Sequence, residues 1–368
     1  MNRSLRPAMS RQSGFSLIEL MIAVTLGLII LAALTTFFVQ TSGNRQEMER
    51  NARQIENGRY AIDAMREDVA LAGFFSDTAP LVTPTWKMNP PCPATVGDYG
   101  FSAVPGTYTA PLPVFGYADG AGTPGCLATL SLPNDVLVVR RFNSESNTVA
   151  EAAASGVSAR WYLQNSQCTD DNPDVPFKVG PGSAGGYDLH DVKCTGIARL
   201  WRMREQVYYL RSCSVCPPDA APDNIPTLWR AELDPADLSG DGDPIMRHSA
   251  LVEGIQVLRF DYGIDNDGSP LGTGLAPDGL PDVWKRCDAA APCVEADWAN
   301  VTAVKVYVLS RNLEESRDYT DTKTYSMGLS GTVGPFNDKY KRHVYSATIS
   351  IPNRSGYREP RLSVAPPL

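Results

Sequence analysis

Asp265-Asn266-Asp267-Gly268 places oxygen ligands at alternate positions ahead of a turn-forming glycine, the arrangement that opens a calcium-binding loop. The helix-flanked, twelve-residue form of that loop would supply a glutamate several residues later. Here the chain runs on to Asp278-Gly279-Leu280-Pro281-Asp282. The reading is therefore a looser loop in which Asp265, Asp267, Asp278 and Asp282 would hold calcium. The same residue types also make Asp/Asn/Gly turns for backbone reasons alone, and that use is the commoner one. A second acidic run, Asp237 to Asp243 with Gly240 and Gly242, is a weaker instance of the pattern. Cys213-Ser214-Val215-Cys216 has the spacing of a redox dithiol. A working dithiol of that kind opens a helix, whereas this one follows an apolar β-like run and precedes Pro217-Pro218, so a structural disulfide or long-range pairing fits better. The three histidines, His190, His248 and His343, are scattered. No nucleophile elbow, phosphate loop or paired-histidine metal motif occurs in the sequence. The expectation is a protein without enzymatic activity.

The eight cysteines are Cys92, Cys126, Cys168, Cys194, Cys213, Cys216, Cys287 and Cys293. An even number, all downstream of one long apolar segment, fits an oxidising compartment and disulfides. Eight cysteines admit 105 pairings, so the sequence leaves the connectivity open, although the short Cys287–Cys293 interval suits a local pair. A zinc site from Cys213, Cys216, Cys287 and Cys293 would require reduced thiolates, which that compartment disfavours. The chain carries a formal charge of −8, and residues 1–14 contribute three arginines and no acid; without Arg3, Arg6 and Arg11 the remainder stands at −11. A body of that charge repels phosphate backbones, which argues against nucleic acid as a partner.

Those apolar residues run from Phe15 to Val39 with a single charge, Glu19. About 20 apolar residues suffice to cross a bilayer as a helix. The preceding arginines would stay cytoplasmic and place the body of the chain on the far side. A removable secretory signal has a shorter apolar core and ends at a small-residue cleavage site, neither of which is seen. A plain anchor fits the hydropathy but leaves Glu19 without a reason, since a carboxylate in hydrocarbon costs a few kcal/mol. The run Gly14-Phe15-Ser16-Leu17-Ile18-Glu19 resembles the class III signal of type IV pilins and type II secretion pseudopilins. That resemblance implies a prepilin peptidase that cuts between Gly14 and Phe15 and methylates Phe15. Glu19 then stands at the fifth mature position, where its carboxylate offsets the N-terminal amine of a neighbouring subunit or its own.

Beyond the apolar run, Met48, Ala52, Ile55, Gly58, Ile62, Met65, Val69 and Ala72 recur at steps of three and four, one face of a helix. Gly73 suits its C-terminal cap. A helix from Phe15 to Ala72 would be on the order of 90 Å long, with Gly27 and Gly43 as points where it could bend. Residues 74–130 are rich in Pro, Gly and Thr and read as loops with short strands. Strands are expected at Asp135–Arg140, Gln206–Arg211, Thr227–Ala231, Leu251–Tyr262, Val301–Ser310 and His343–Ile351, with irregular insertions at 143–200 and 212–226. The layout is α+β: a leader at 1–14, a membrane or filament-core helix at 15–40, an amphipathic helix at 41–73, and a mainly antiparallel β-rich periplasmic domain at 74–368.

Gln54–Ala61, Leu71–Phe74, Leu251–Gln256, Asp261–Gly268, Trp298–Val306 and Arg342–Ile349 resemble stretches of the PilW family of minor pilins. The resemblance implies a pilin-like fold and a structural role in type IV pilus assembly and twitching motility. Its partners would be prepilin peptidase and, through the N-terminal helices, other minor pilins and the major pilin. The chain would be a single-pass inner-membrane protein that later joins the pilus fibre or its tip. Two other readings stand beside it: a type II secretion minor pseudopilin, and a membrane-anchored periplasmic enzyme or binding protein, which predicts an uncut N-terminus and indifference to Glu19. The 143–200 insertion is where an adhesive surface would be sought.

Overall fold

The computed structural model describes residues 14, 16–76, 85–92, 96–104, 107–123, 125–127, 130–131, 133–154, 160–216, 221–234, 245–267 and 277–354. Phe15, the arginines of the leader, the Asp237–Asp243 run and Gly268 lie outside the described residues. The chain forms two compact units, residues 1–52 and 53–368.

Helix α1 (Leu17–Ala70) runs unbroken through Gly27 and Gly43. Its apolar residues up to Val39 are all exposed, Phe38 at 73%. In the second unit α1 buries Gln54, Gly58, Ala61, Ile62, Met65, Asp68 and Val69. The stripe has the expected period but is not the expected set, because Met48 and Ile55 are exposed and Gln54 is buried. Gln54 can be buried because both donors of its side-chain amide are met, Nε2 donating to the carbonyls of Ser310 and Lys341 at 3.0 Å each. Gly58 permits close approach: a Cβ there would lie 2.2 Å from the Tyr345 ring. The helix ends at Ala70, two residues before the expected Ala72, and Leu71–Gly73 form a turn. Gly73 takes a φ of 74°, and its N–H donates to the Arg140 carbonyl.

Strands β1 (Thr85–Lys87), β2 (Ser102–Val104) and β3 (Thr107–Pro111) make a small sheet in which β1 and β3 are parallel. Strands β4 (Val114–Tyr117), β5 (Val136–Asn147), β6 (Trp161–Asn165), β7 (Phe177–Pro181), β8 (Leu200–Arg211), β9 (Thr227–Asp234) and β10 (Ile245–Glu253) form an antiparallel sheet. Its order is β10-β9-β8-β5-β4, with β6 joined to β8 and β7 to β6. A third sheet is ordered β12-β11-β13-β16, from β11 (Ile255–Ile264), β12 (Val283–Lys285), β13 (Val301–Arg311) and β16 (Arg342–Ser350); β14 (Tyr325–Ser326) and β15 (Thr332–Val333) form a hairpin beside it. Short helices α2 (Val149–Ala152) and α3 (Glu295–Ala299) and four single 3-10 turns, Val96–Tyr99, Ala118–Gly120, Gly182–Ala184 and Gly328–Ser330, complete the elements among the described residues. The second half of α1 and both large sheets share one apolar core that includes Met65, Val138, Tyr208, Phe260 and Val306. The architecture is thus a long N-terminal helix followed by an antiparallel β domain.

Two local expectations are corrected. The single strand expected over Leu251–Tyr262 is two strands in two sheets, divided at Gly254. Gly254 has a φ of 77°, and a Cβ there would come within 2.7 Å of the Arg311 carbonyl oxygen, so the chain can change sheets only at a glycine. The 143–200 insertion is more ordered than its composition suggests. It holds the end of β5, α2 with a Thr148/Glu151 capping box, and the β6–β7 hairpin, packed through Trp161, Leu163 and Phe177 into a second cluster with Tyr99, Phe142 and Trp201.

The eight cysteines form four bridges, Cys92–Cys126, Cys168–Cys194, Cys213–Cys216 and Cys287–Cys293. Asp223 clamps the Cys213–Cys216 turn: its carboxylate accepts from the N–H groups of Ser214, Val215 and Ile225 and from the Ser214 hydroxyl. Burial works against the charged carboxylate, but those four donors outweigh it and hold the Asp223 pKa down at about 2.

On α1, Asp68 Oδ1 receives Nε and Nη2 of Arg141 at 3.0 and 2.8 Å, while its Oδ2 accepts the Tyr208 hydroxyl at 2.5 Å. Asp68→Ala strands a buried guanidinium. Breaking such a pair costs about 3–5 kcal/mol, read by denaturant unfolding of the detergent-solubilised full chain; a loss under about 1 kcal/mol, the range of an exposed pair, would refute its role. For Asp223 the depressed pKa means that its contribution is complete above the ordinary carboxylate range and is lost as pH falls toward 2. Amide-exchange protection of Ser214 and Val215 should follow that titration and be missing at every pH in Asp223→Asn. Protection that ignores both pH and the substitution would refute the clamp.

Candidate functional site

The head of α1 is built from Ser16 and Glu19. Ser16 precedes the first helical residue, and its Oγ accepts from the Ile18 N–H at 3.3 Å. Glu19 reaches back, its Oε2 accepting from the Ser16 N–H at 2.9 Å. This is the logic of a capping box: two amides that the helix cannot satisfy are met by side chains. A carboxylate at a helix N-terminus also complements the positive end of the helix dipole. Glu19 therefore has a local role in addition to any partner. The reading of the sequence missed Ser16, although Ser-x-x-Glu at the start of an apolar run is a legible signal. Gly14 stands two residues ahead of Ser16, and a Cβ added there would meet no described atom within 4 Å.

The residues that follow form a surface with one property. An 18-residue window of α1 has a mean hydropathy of 2.6, and α1 is long and apolar enough to cross a membrane. The hydroxyls of Thr25, Thr35 and Thr36 donate to carbonyls three and four residues back, so these polar groups are met within the helix.

The acidic loop follows β11. Asp265, Asp267 and Asp282 bring carboxylate oxygens within 4.8 Å of one another, with Asp265 and Asp267 buried. Backbone N–H groups support them: Asp267 and Gly279 donate to Asp265, and Asn266 donates to Asp282. Asp278 stands outside the group and caps its own turn, accepting from the Leu280 N–H at 2.8 Å. Three of the four residues named from the sequence are thus brought together. The site has oxygen donors of the type a hard cation takes.

The other chemical leads do not assemble. Every cysteine is in a disulfide, which leaves no free thiolate to ligate zinc. His190 Nδ1 lies 2.6 Å from Asp171 Oδ1, and the Ser166 hydroxyl donates to Asp171 Oδ2. Here an acid lies between serine and histidine, whereas hydrolytic triads place the histidine between serine and acid. Burial opposes charge on Asp171, but bonds from the His190 N–H, the Ser166 hydroxyl and the His190 ring lower its pKa. His248 meets the Tyr209 hydroxyl, and burial followed by the Arg211 charge lowers its pKa. His343 stacks edge-on against Tyr345.

Residues 207–353 match the family described as type IV pilus-assembly protein W, and residues 9–35 match the prokaryotic N-terminal methylation motif. No curated protein sequence matches the chain. A type IV-like pilin from Thermus thermophilus is similar over 82% of this chain and 97% of its own, at 10% identity and a TM-score of 0.33. Over these two stretches the chain is similar to type IV pilus-assembly protein W and to the prokaryotic N-terminal methylation motif.

Proposed function

We propose that the chain is a minor pilin with a structural role in type IV pilus assembly. The observation that carries this reading is Glu19, the one charge in the exposed apolar stretch of α1 up to Val39, five residues past Gly14 and inside the methylation motif. Prepilin peptidase cuts between Gly14 and Phe15 and methylates Phe15. Before assembly the chain is held in the inner membrane by α1, with its β domain in the periplasm. Apolar packing of α1 against other minor pilins and the major pilin draws the subunit from the bilayer. The Glu19 carboxylate pairs with a subunit N-terminal amine and sets axial register, because two charges in an apolar medium are tolerated only together. The priming complex so formed ends near the filament tip and supports twitching.

The acidic loop favours a second, compatible reading, because three carboxylates converge where the sequence expected calcium ligands. We propose that Asp265, Asp267 and Asp282 hold calcium there, and that Asp278 serves the turn.

Intact-mass and N-terminal analysis of the protein from its native membrane should show a start at methylated Phe15; a start at Met1 would overturn the pilin reading. Deletion should abolish pili and twitching. Loss of enzyme secretion with pili intact would move the chain to the pseudopilins. Glu19→Ala should leave cleavage intact and prevent incorporation into fibres. For the loop, calcium should raise the thermal midpoint of the detergent-solubilised full chain, and Asp282→Asn should abolish the rise. A wild-type midpoint unmoved by about 10 mM calcium, beyond the millimolar end of protein affinities, would exclude the site.

A further inference from the structure

β16 is the last strand of its sheet and pairs with β13 alone. The ladder continues one step past each end: the Ile351 N–H donates to the Thr302 carbonyl, and the Asn312 N–H donates to the Lys341 carbonyl. Antiparallel pairs alternate between bonded and unbonded, so the odd-numbered residues of β16 are the ones that bond β13. Val344, Ser346, Thr348 and Ser350 therefore turn their N–H and C=O groups away from the sheet, and no described residue meets them. The other outer strands of the two large sheets are short or blunted. β10 carries Arg247 and a bulge between Ala250 and Val252, and β7 carries Lys178 and Pro181. β12 and β4 hold three and four residues. β16 runs nine residues, about 30 Å, in unbroken register with no lysine, proline or acid. Its one arginine, Arg342, is taken by Asp321 and Asp338. Side chains alternate along it. Tyr345, Ala347 and Ile349 form a row toward the core, where Tyr345 meets Gly58 of α1, while Ser346, Thr348 and Ser350 form the exposed row. Arg59 stands beside this edge on α1 and joins no ion pair among the described residues. Burial raises the Tyr345 pKa, and the nearby Arg59 charge acts the other way.

We propose that the free edge of β16 receives an extended strand of a partner protein, which becomes the fifth strand of this sheet. A row of unpaired N–H and C=O groups is met in full only by another extended backbone, and main-chain bonds of that kind supply affinity whatever the sequence. Alternation sets the rest of the partner's chemistry. Directly opposite residues share a face. The incoming strand thus places apolar side chains beside Tyr345 and Ala347 and hydroxyl or other neutral polar ones beside Ser346 and Thr348. A carboxylate in its apolar row finds Arg59. β16 carries no carboxylate of its own, so a second copy of this chain lacks that match. The edge belongs to the β domain, and the proposal does not depend on the pilin reading.

The test uses the full chain in neutral-detergent micelles and a fluorescent nonapeptide of alternating threonine and valine whose central valine is replaced by glutamate. Amide exchange reads the edge residue by residue. Without peptide, the amides of Val344, Ser346, Thr348 and Ser350 should exchange fast and those of Tyr345 and Ala347 slowly. With about 1 mM peptide, near the weak end of specific affinities, the four fast amides should slow at least about tenfold. The same peptide N-methylated at each threonine, whose amides face β16, should do neither this nor bind. Lysine in place of the glutamate should weaken binding about threefold, the worth of an exposed pair, and Arg59→Glu, at an exposed position, should reverse that preference. Absence of binding, equal binding of the N-methylated peptide, or a preference that ignores Arg59→Glu would each overturn the proposal. Two patterns without peptide would overturn it as well. Slow exchange of the four amides at every protein concentration means that the chain covers its own edge, and slowing as concentration rises means that a second copy does.

Discussion

Asp68 and Arg141 meet at 2.8 Å with less than a tenth of either side chain exposed, and their pairing decides which face of α1 meets the sheet. A rotation of α1 by one residue would bury a neighbour such as Glu67 with no guanidinium to receive it, while Arg141 would remain charged in the interior. With the rotation fixed, Gly58 arrives at Tyr345 and Gln54 arrives at the carbonyls of Ser310 and Lys341. Met65 and Val69 then face the main core. The same helix enters the other unit with apolar residues on all sides, so one element answers to two solvents. The side-chain pattern changes from uniform to one-faced without a break in the backbone.

Three further guanidinium networks tie loops to the sheets. Arg140 bonds Glu205 at 2.6 Å and the carbonyls of Asn89 and Pro90, and Glu205 also accepts from the Cys92 N–H. Asp135 collects Arg259 and Arg286 with the N–H groups of Asp119 and Phe260. Arg342 holds Asp321 and Asp338 while stacking on Phe336. Buried pairs of this kind add little net stability compared with apolar packing, but an unpaired member is costly. They exclude wrong loop placements.

Much of this was legible in the residues. Gly14, Glu19 and the uncharged run between them lie in consecutive sequence, where spacing alone carries the message. The α+β layout was legible too, because the long apolar-then-amphipathic helix and the β-branched runs at Val136–Val139 and Val301–Leu309 have distinct periods. Most of what escaped depended on contacts distant in sequence. Gln54 reads as polar until Ser310 and Lys341 supply acceptors, and Ile55 reads as core until the rotation of α1 is known. Gly254 looks like any glycine in an apolar stretch until β11 is seen in a different sheet from β10. The separation of Asp278 from its three fellows arose because its carboxylate found a nearer amide, at Leu280.

The four bridges span 34, 26, 3 and 6 residues, and each joins a cysteine to the next one in the chain. No bridge encloses or crosses another. If the domain behind α1 emerges into an oxidising space in chain order, each half-cystine meets its proper mate next in line. Oxidation in chain order would then yield the native set without any shuffling of mispaired bridges.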